Sequence, residues 1–131
     1  MKVEIPVSVG ELVDKITILK IKSKRIDDED KLGHVKVELA LLEQKLATLP
    51  GGRGQFNELE DQLLAVNEAL WEIEDDIRDK ERAQAFDARF IELARAVYVT
   101  NDQRFALKNE INELMGSAVR EVKSYKDYRT T

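Results

Sequence analysis

Four runs of apolar residues, each advancing in alternating steps of three and four, constrain this chain more than any other feature. Such steps draw a single stripe down one side of an α-helix. The first run is Val9, Leu12, Ile16, Leu19, Ser23 and Ile26, and the second is Leu32, Val35, Leu39, Leu42, Leu46 and Leu49. The third is Phe56, Leu59, Leu63, Val66, Leu70, Ile73 and Ile77. The fourth is Leu93, Val97, Thr100, Arg104, Leu107, Ile111, Leu114 and Ala118. An acidic turn at 27–30, a proline- and glycine-rich loop at 50–54 and a weaker break at 83–87 separate them. Two prolines and six glycines in 131 residues leave too few turns for an all-β fold.

The alternation of Val3, Ile5 and Val7 around Pro6 reads as a short extended lead-in. Ser8 and Glu11 have the spacing of a capping box, and Val7 and Leu12 that of a hydrophobic staple. Helices are expected over about 9–27, 31–49, 56–82 and 88–115, with Gly116 ending or kinking the last and a loose tail from about 123. Facing the runs antiparallel pairs Leu49 with Phe56 and Leu39 with Val66, which centres a turn between Gly52 and Arg53. Pairing Ile77 with Leu93 centres another at Ala85, and Leu19 with Leu39 a third at Glu29. All three centres fall on the independently chosen breaks. The fold class expected is all-α, an antiparallel up-down-up-down four-helix bundle with an extended N-terminal lead-in, forming one domain.

Composition narrows the function. The balance of 21 basic and 26 acidic side chains, net −5, argues against binding to nucleic acid or to an anionic membrane surface. With no cysteine and only His34, thiolate chemistry, most histidine metal sites and a Ser-His-Asp triad drop out. The N-terminus has no apolar run of signal-peptide length, so a cytoplasmic protein is expected. Residues 1–26 carry six basic and three acidic side chains, against two basic and ten acidic in 58–81. Opposite signs of this kind help helices choose neighbours. Alternatively, a basic face of Lys20, Lys22, Lys24 and Arg25 meets an acidic partner.

Two layers of the bundle break the apolar pattern. One holds Leu19, Leu39, Val66 and Arg104; the next holds Ser23, Val35, Leu70 and Thr100, with Asn67 and Asn101 at the same level. A buried guanidinium without a partner costs several kcal/mol or more. Three readings follow: a structural pair, with Glu38 and Asn67 as partners; a small anion or polar ligand held by Arg104, Thr100, Asn101, Asn67 and Ser23; or an exposed Arg104 in another register. Leu64 and Trp71 lie off the third seam and form a candidate contact for a protein partner or a second copy, unless helix 1 or the tail covers them. Together with Lys20 and Lys22 they are the expected interaction surface. Acid pairs such as Glu72/Asp75 are no commoner than chance, and a magnesium site of the kind used by helical nucleotide pyrophosphohydrolases would need a second subunit to close. No catalytic set, cofactor or metal is therefore expected.

Three stretches carry a family likeness: 8–19 (SVGELVDKITIL), 67–78 (NEALWEIEDDIR) and 100–112 (TNDQRFALKNEIN). They resemble a bacterial family of short helical proteins known as a domain of unknown function, with the likeness running nearly the whole chain. The resemblance implies a stand-alone bacterial protein and carries over no catalytic residue. More distantly, Glu11, Asp14, Lys15 and Arg104 are similar to the arginine, lysine and glutamate set of all-helical chorismate mutases. That family's arginine early in helix 1 is missing here, where Val13-Asp14-Lys15 stand. The leading expectation is a non-enzymatic interaction or self-association module, and the alternative is a metabolite-binding bundle centred on Arg104.

Overall fold

Ser8 starts the first helix, as its spacing to Glu11 predicts: its Oγ accepts the Glu11 amide at 3.0 Å in the computed structural model, which describes residues 1–129. Four helices follow and no strand is present among these residues: α1 (Val9–Arg25), α2 (Glu29–Ala47), α3 (Asn57–Arg82) and α4 (Ala88–Met115). Asp28 and Asp87 cap α2 and α4 through their carboxylates. A 3-10 turn at Arg53–Phe56 leads into α3 and drives Phe56 into the core, where it is 2% exposed. The chain is all-α, and no helix among the described residues is long and apolar enough to cross a membrane.

The helices are not equivalent. α1 packs against α2, α3 and α4; α3 packs against α4; α2 makes its close contact with α1. The reason lies in the first helix itself. Besides the expected stripe of Leu12, Ile16 and Leu19, it buries Gly10, Val13, Asp14, Thr17 and Ile21 on its other sides. A helix apolar or buried nearly all round belongs at the centre of a domain. The core runs from Leu12, Val13 and Ile16 through Leu46 and Phe56 to Leu63, Leu107 and Ile111.

Length decides the rest of the shape. At 1.5 Å per residue, the 17 residues of α1 reach about 26 Å, whereas the 26 and 28 residues of α3 and α4 reach about 39 and 42 Å. The α3–α4 hairpin therefore runs on past the end of α1. At the opposite end Gly116 adopts the left-handed conformation (φ 62°) and stops α4. The Ser117 amide bonds back to the Asn112 carbonyl at 2.9 Å and the Gly116 amide to Glu113, a Schellman ending. From there the extended tail returns along α4, with Glu121 on Lys108, Lys123 above the Phe105 ring and Tyr128 5.0 Å from Tyr98.

Candidate functional site

The first turn of α1 is held against the end of α4. Helix starts leave backbone N–H groups without intrahelical partners. Here the Val9 amide donates to Ser117 Oγ at 3.3 Å, and the Gly10 amide to Asn112 Oδ1 at 2.6 Å. Only glycine permits this approach: a Cβ on residue 10 would lie 2.3 Å from the Lys108 carbonyl oxygen. With the two helices so close, the next turn of α1 places Asp14 directly against α4.

Asp14 is fully buried and meets Arg104 in a two-pronged pair, Nε to Oδ1 at 2.9 Å and Nη2 to Oδ2 at 2.5 Å. Asn67 on α3 donates its Nδ2 to the same Oδ1 at 2.9 Å and to Thr17 Oγ1, also at 2.9 Å. Thr17 in turn donates to the Asp14 carbonyl at 2.7 Å. A carboxylate only accepts, so the amide nitrogen of Asn67 must face it. Two helices, α3 and α4, thus satisfy one buried charge on a third, as a buried charge requires. The hydrogen-bonded carboxylate, with burial opposing it, holds the Arg104 guanidinium above its ordinary range.

Arg104 is one member of a buried pair, as one of the three readings expected, but its partner is Asp14 on α1. Glu38 is exposed on α2 and takes no part. Thr100 is buried but makes no side-chain hydrogen bond to the pair, and the Ser23 hydroxyl bonds the Lys20 carbonyl of its own helix and does not join it. Asn101 Oδ1 sits 3.5 Å from Arg104 Nη1. The other polar contacts are likewise internal. Lys108, 5% exposed, is held by Glu11 at 2.8 Å and by Glu121. Of the residues that resembled a chorismate mutase set, Asp14 and Arg104 therefore face one another, Glu11 faces Lys108, and Lys15 is exposed.

Beside the pair lies an open groove of about 500 Å³, within the usual size of ligand clefts. Its apolar wall is Ile18, Ile21, Leu70 and Trp71; Asn67, Asn101 and Arg104 form its polar floor; Glu74, Asp75 and Arg78 stand at the rim. Glu74 and Arg78 pair with each other. The floor offers both kinds of hydrogen bond. Arg104, its side chain 28% exposed, keeps N–H groups that Asp14 does not use, and Asn67 Oδ1 has no partner among the described residues.

Trp71 and Leu64 do not form the outward patch expected of them. Both are half-buried; the Arg25 guanidinium of helix 1 lies 5.7 Å above the tryptophan ring, and the same tryptophan lines the groove. Arg25 also bonds Glu72 at 2.5 Å. Lys20 turns inward too, to Glu60 at 3.4 Å and Glu43 at 3.9 Å, whereas Lys22 is half-buried with no ion pair among the described residues. Arg53 approaches the same two acids, Glu43 at 2.7 Å and Glu60 at 3.0 Å. Its buried nitrogens are out of line for hydrogen bonds, so the attraction there is Coulombic. Two members of the basic face on helix 1 thus meet acids of the same chain.

From the sequence, Asp14 enters only through the distant chorismate mutase likeness, not as the partner of Arg104, and Gly10, Thr17 and Asn112 are not assigned. For Gly10, Asp14 and Thr17 the signal is a second ladder in α1, Gly10, Val13/Asp14, Thr17 and Ile21, beside the Val9–Leu12–Ile16–Leu19 stripe; Asn112 carries no such signal. Among the described residues no three histidine, cysteine or acidic side chains converge as a metal site would require. Neither a curated protein nor a solved structure matches the chain. Residues 1–131 match a family described as a family of unknown function, DUF6165. The match spans the whole sequence, and the chain belongs to that family.

Proposed function

We propose that this chain is a non-enzymatic protein-interaction module of the bacterial cytoplasm that docks an extended segment of a partner protein in the groove beside Arg104. The observation that carries the reading is the floor. Arg104 is already neutralised by Asp14, and its remaining N–H donors line the same groove as Asn67, whose Oδ1 has no partner among the described residues. A peptide group complements that pair, its carbonyl accepting from Arg104 while its N–H donates to Asn67. An apolar side chain of the same segment packs on Leu70 and Trp71. Tryptophan and arginine are the residues on which such contacts most often depend.

The experiment uses the only tryptophan of the chain as the reporter. Peptides selected by display against the protein are expected to shift Trp71 emission, and to bind Trp71→Ala and Asn67→Ala about tenfold or more weakly. Selected peptides indifferent to both substitutions would sink the reading. The second reading, a small-anion or metabolite site, is favoured by the unused Arg104 N–H groups. It predicts instead that carboxylate or phosphate metabolites raise the Tm of the wild type and not of Asn67→Ala.

A further inference from the structure

α2 carries two seams, and only one of them is used. The inner seam, Leu32, Val35, Leu39, Leu42 and Leu46, faces the core side. On the opposite side Gly33, Val37, Ala40, Gln44 and Ala47 follow one another in steps of four, three, four and three, with Leu41 alongside. That is the spacing of positions that meet a partner helix in a coiled coil. All six are exposed and none is charged; Val37 and Leu41 are 63% and 39% exposed. The N-terminal lead-in meets α2 at Lys45, with Glu4 3.8 Å away, and Val3 and Ile5 are also exposed.

We propose that this outer face of α2 pairs with the same face of a second copy of the chain, the two helices running antiparallel about a twofold axis level with Glu38 and Leu39. Self-complementarity in size and charge selects this occupant. In that register Val37 lies opposite Ala40 of the second copy and Gly33 opposite its Gln44, so each larger side chain meets a small one. Lys36, on the flank, comes within two residues of the level of Glu43 of the second copy, and symmetry repeats the pair. Glu43 faces Lys20 and Arg53 in its own chain and is 32% exposed, so it retains room to accept from outside. A parallel pair would set Lys36 beside Leu41 and oppose Val37 to Val37, with no ion pair on either flank. The proposal is independent of the groove, and Trp71→Ala leaves it unchanged.

Sedimentation of the wild-type chain from low to high micromolar concentration is expected to show a monomer–dimer equilibrium. Val37→Asp abolishes the dimer and keeps the helical circular dichroism, because Val37 is largely exposed. Lys36→Glu sets like charges against Glu43 and weakens the dimer about tenfold. Because the chain has no cysteine, single-cysteine variants report the register directly. Val37→Cys mixed with Ala40→Cys yields the mixed disulfide in excess of either self-linked product. A wild type that stays monomeric throughout, or cross-linking no greater than that of an Asp61→Cys control on α3, overturns the proposal. Predominant self-linking of Val37→Cys overturns the antiparallel register.

Discussion

The two ends of the α3–α4 hairpin are built from the same kind of sequence and end in different environments. At the end that lies against α1, the pair buries Leu63, Asn67, Leu70, Leu107, Ile111 and Asn112. Beyond Glu72 the ladder continues without interruption through Ile73, Ile77, Leu93 and Val97, yet only Leu93 is buried, at 2% exposure. Two helices can cover a single line of side chains between them. A third is needed to enclose side chains on a second line, and α1 ends at Arg25. The far end is held instead by local contacts: the edge-on Phe86–Phe90 rings at 5.1 Å, the Asp87 cap on the Phe90 amide, and Lys80 to Asp87 at 2.8 Å. Phe86 and Ile91 remain more than half exposed there, at 54% and 56%. Burial along this hairpin follows the reach of its neighbour, and hydrophobic periodicity does not reveal that reach.

The largest effect should come from the enclosed end. Arg104→Met leaves the buried Asp14 carboxylate without its partner, and the unfolding free energy by denaturant should fall by about 3–5 kcal/mol. Replacing both members, as Asp14→Leu with Arg104→Met, should recover a large part of that loss, since a buried pair exchanged for apolar side chains is often neutral. Gly10→Ala pushes a methyl group into the Lys108 carbonyl and should cost about 1–3 kcal/mol while separating α1 from α4. Amide exchange would localise that change to 9–12 and 108–117.

A pH series sharpens the same contrast. Burial opposes the charge on Lys108, but its bonds to Glu11 and Glu121 outweigh that, and its folded pKa lies above the ordinary 10.5. A group raised in this way contributes stability that is fully present below 10.5 and is lost as pH rises through the folded value. The denaturation midpoint of the wild type should therefore fall on the alkaline side of that range, and the Lys108→Met midpoint should lack this component. The smallest effect is expected at the far end, where Ile91→Ala changes stability by no more than about 0.5 kcal/mol. Native-state exchange should show residues 76–92 opening at lower free energy than 60–72. Equal protection at the two ends would mean that something besides α1 stabilises the tip.

Much of the fold was legible from residue order because its determinants are local. Ser8, Asp28, Asp87 and Gly116 act through neighbours three to five positions away. The seam spacing needs no knowledge of a partner, and all four helices begin and end within two residues of where the ladders and breaks place them. Arg104 also stood out, because a guanidinium in an apolar run demands a counter-charge if the run is buried. Its partner did not stand out. Glu38 on α2 and Asp14 on α1 are both carboxylates beside a seam, and the choice depends on which helix, and which side of it, packs against α4.

Residue order by itself thus determined four helices, their ends, the turns between them and the anomaly of Arg104 in an apolar ladder. Tertiary structure decided that α1 is the central helix, that Asp14 is the anion, that Arg25 lies over Trp71, and that one face of α2 has no neighbour among the described residues. The physical reason is range. Capping and periodicity act over a turn or two, whereas the azimuth at which one helix meets another emerges only when all four compete for the same core.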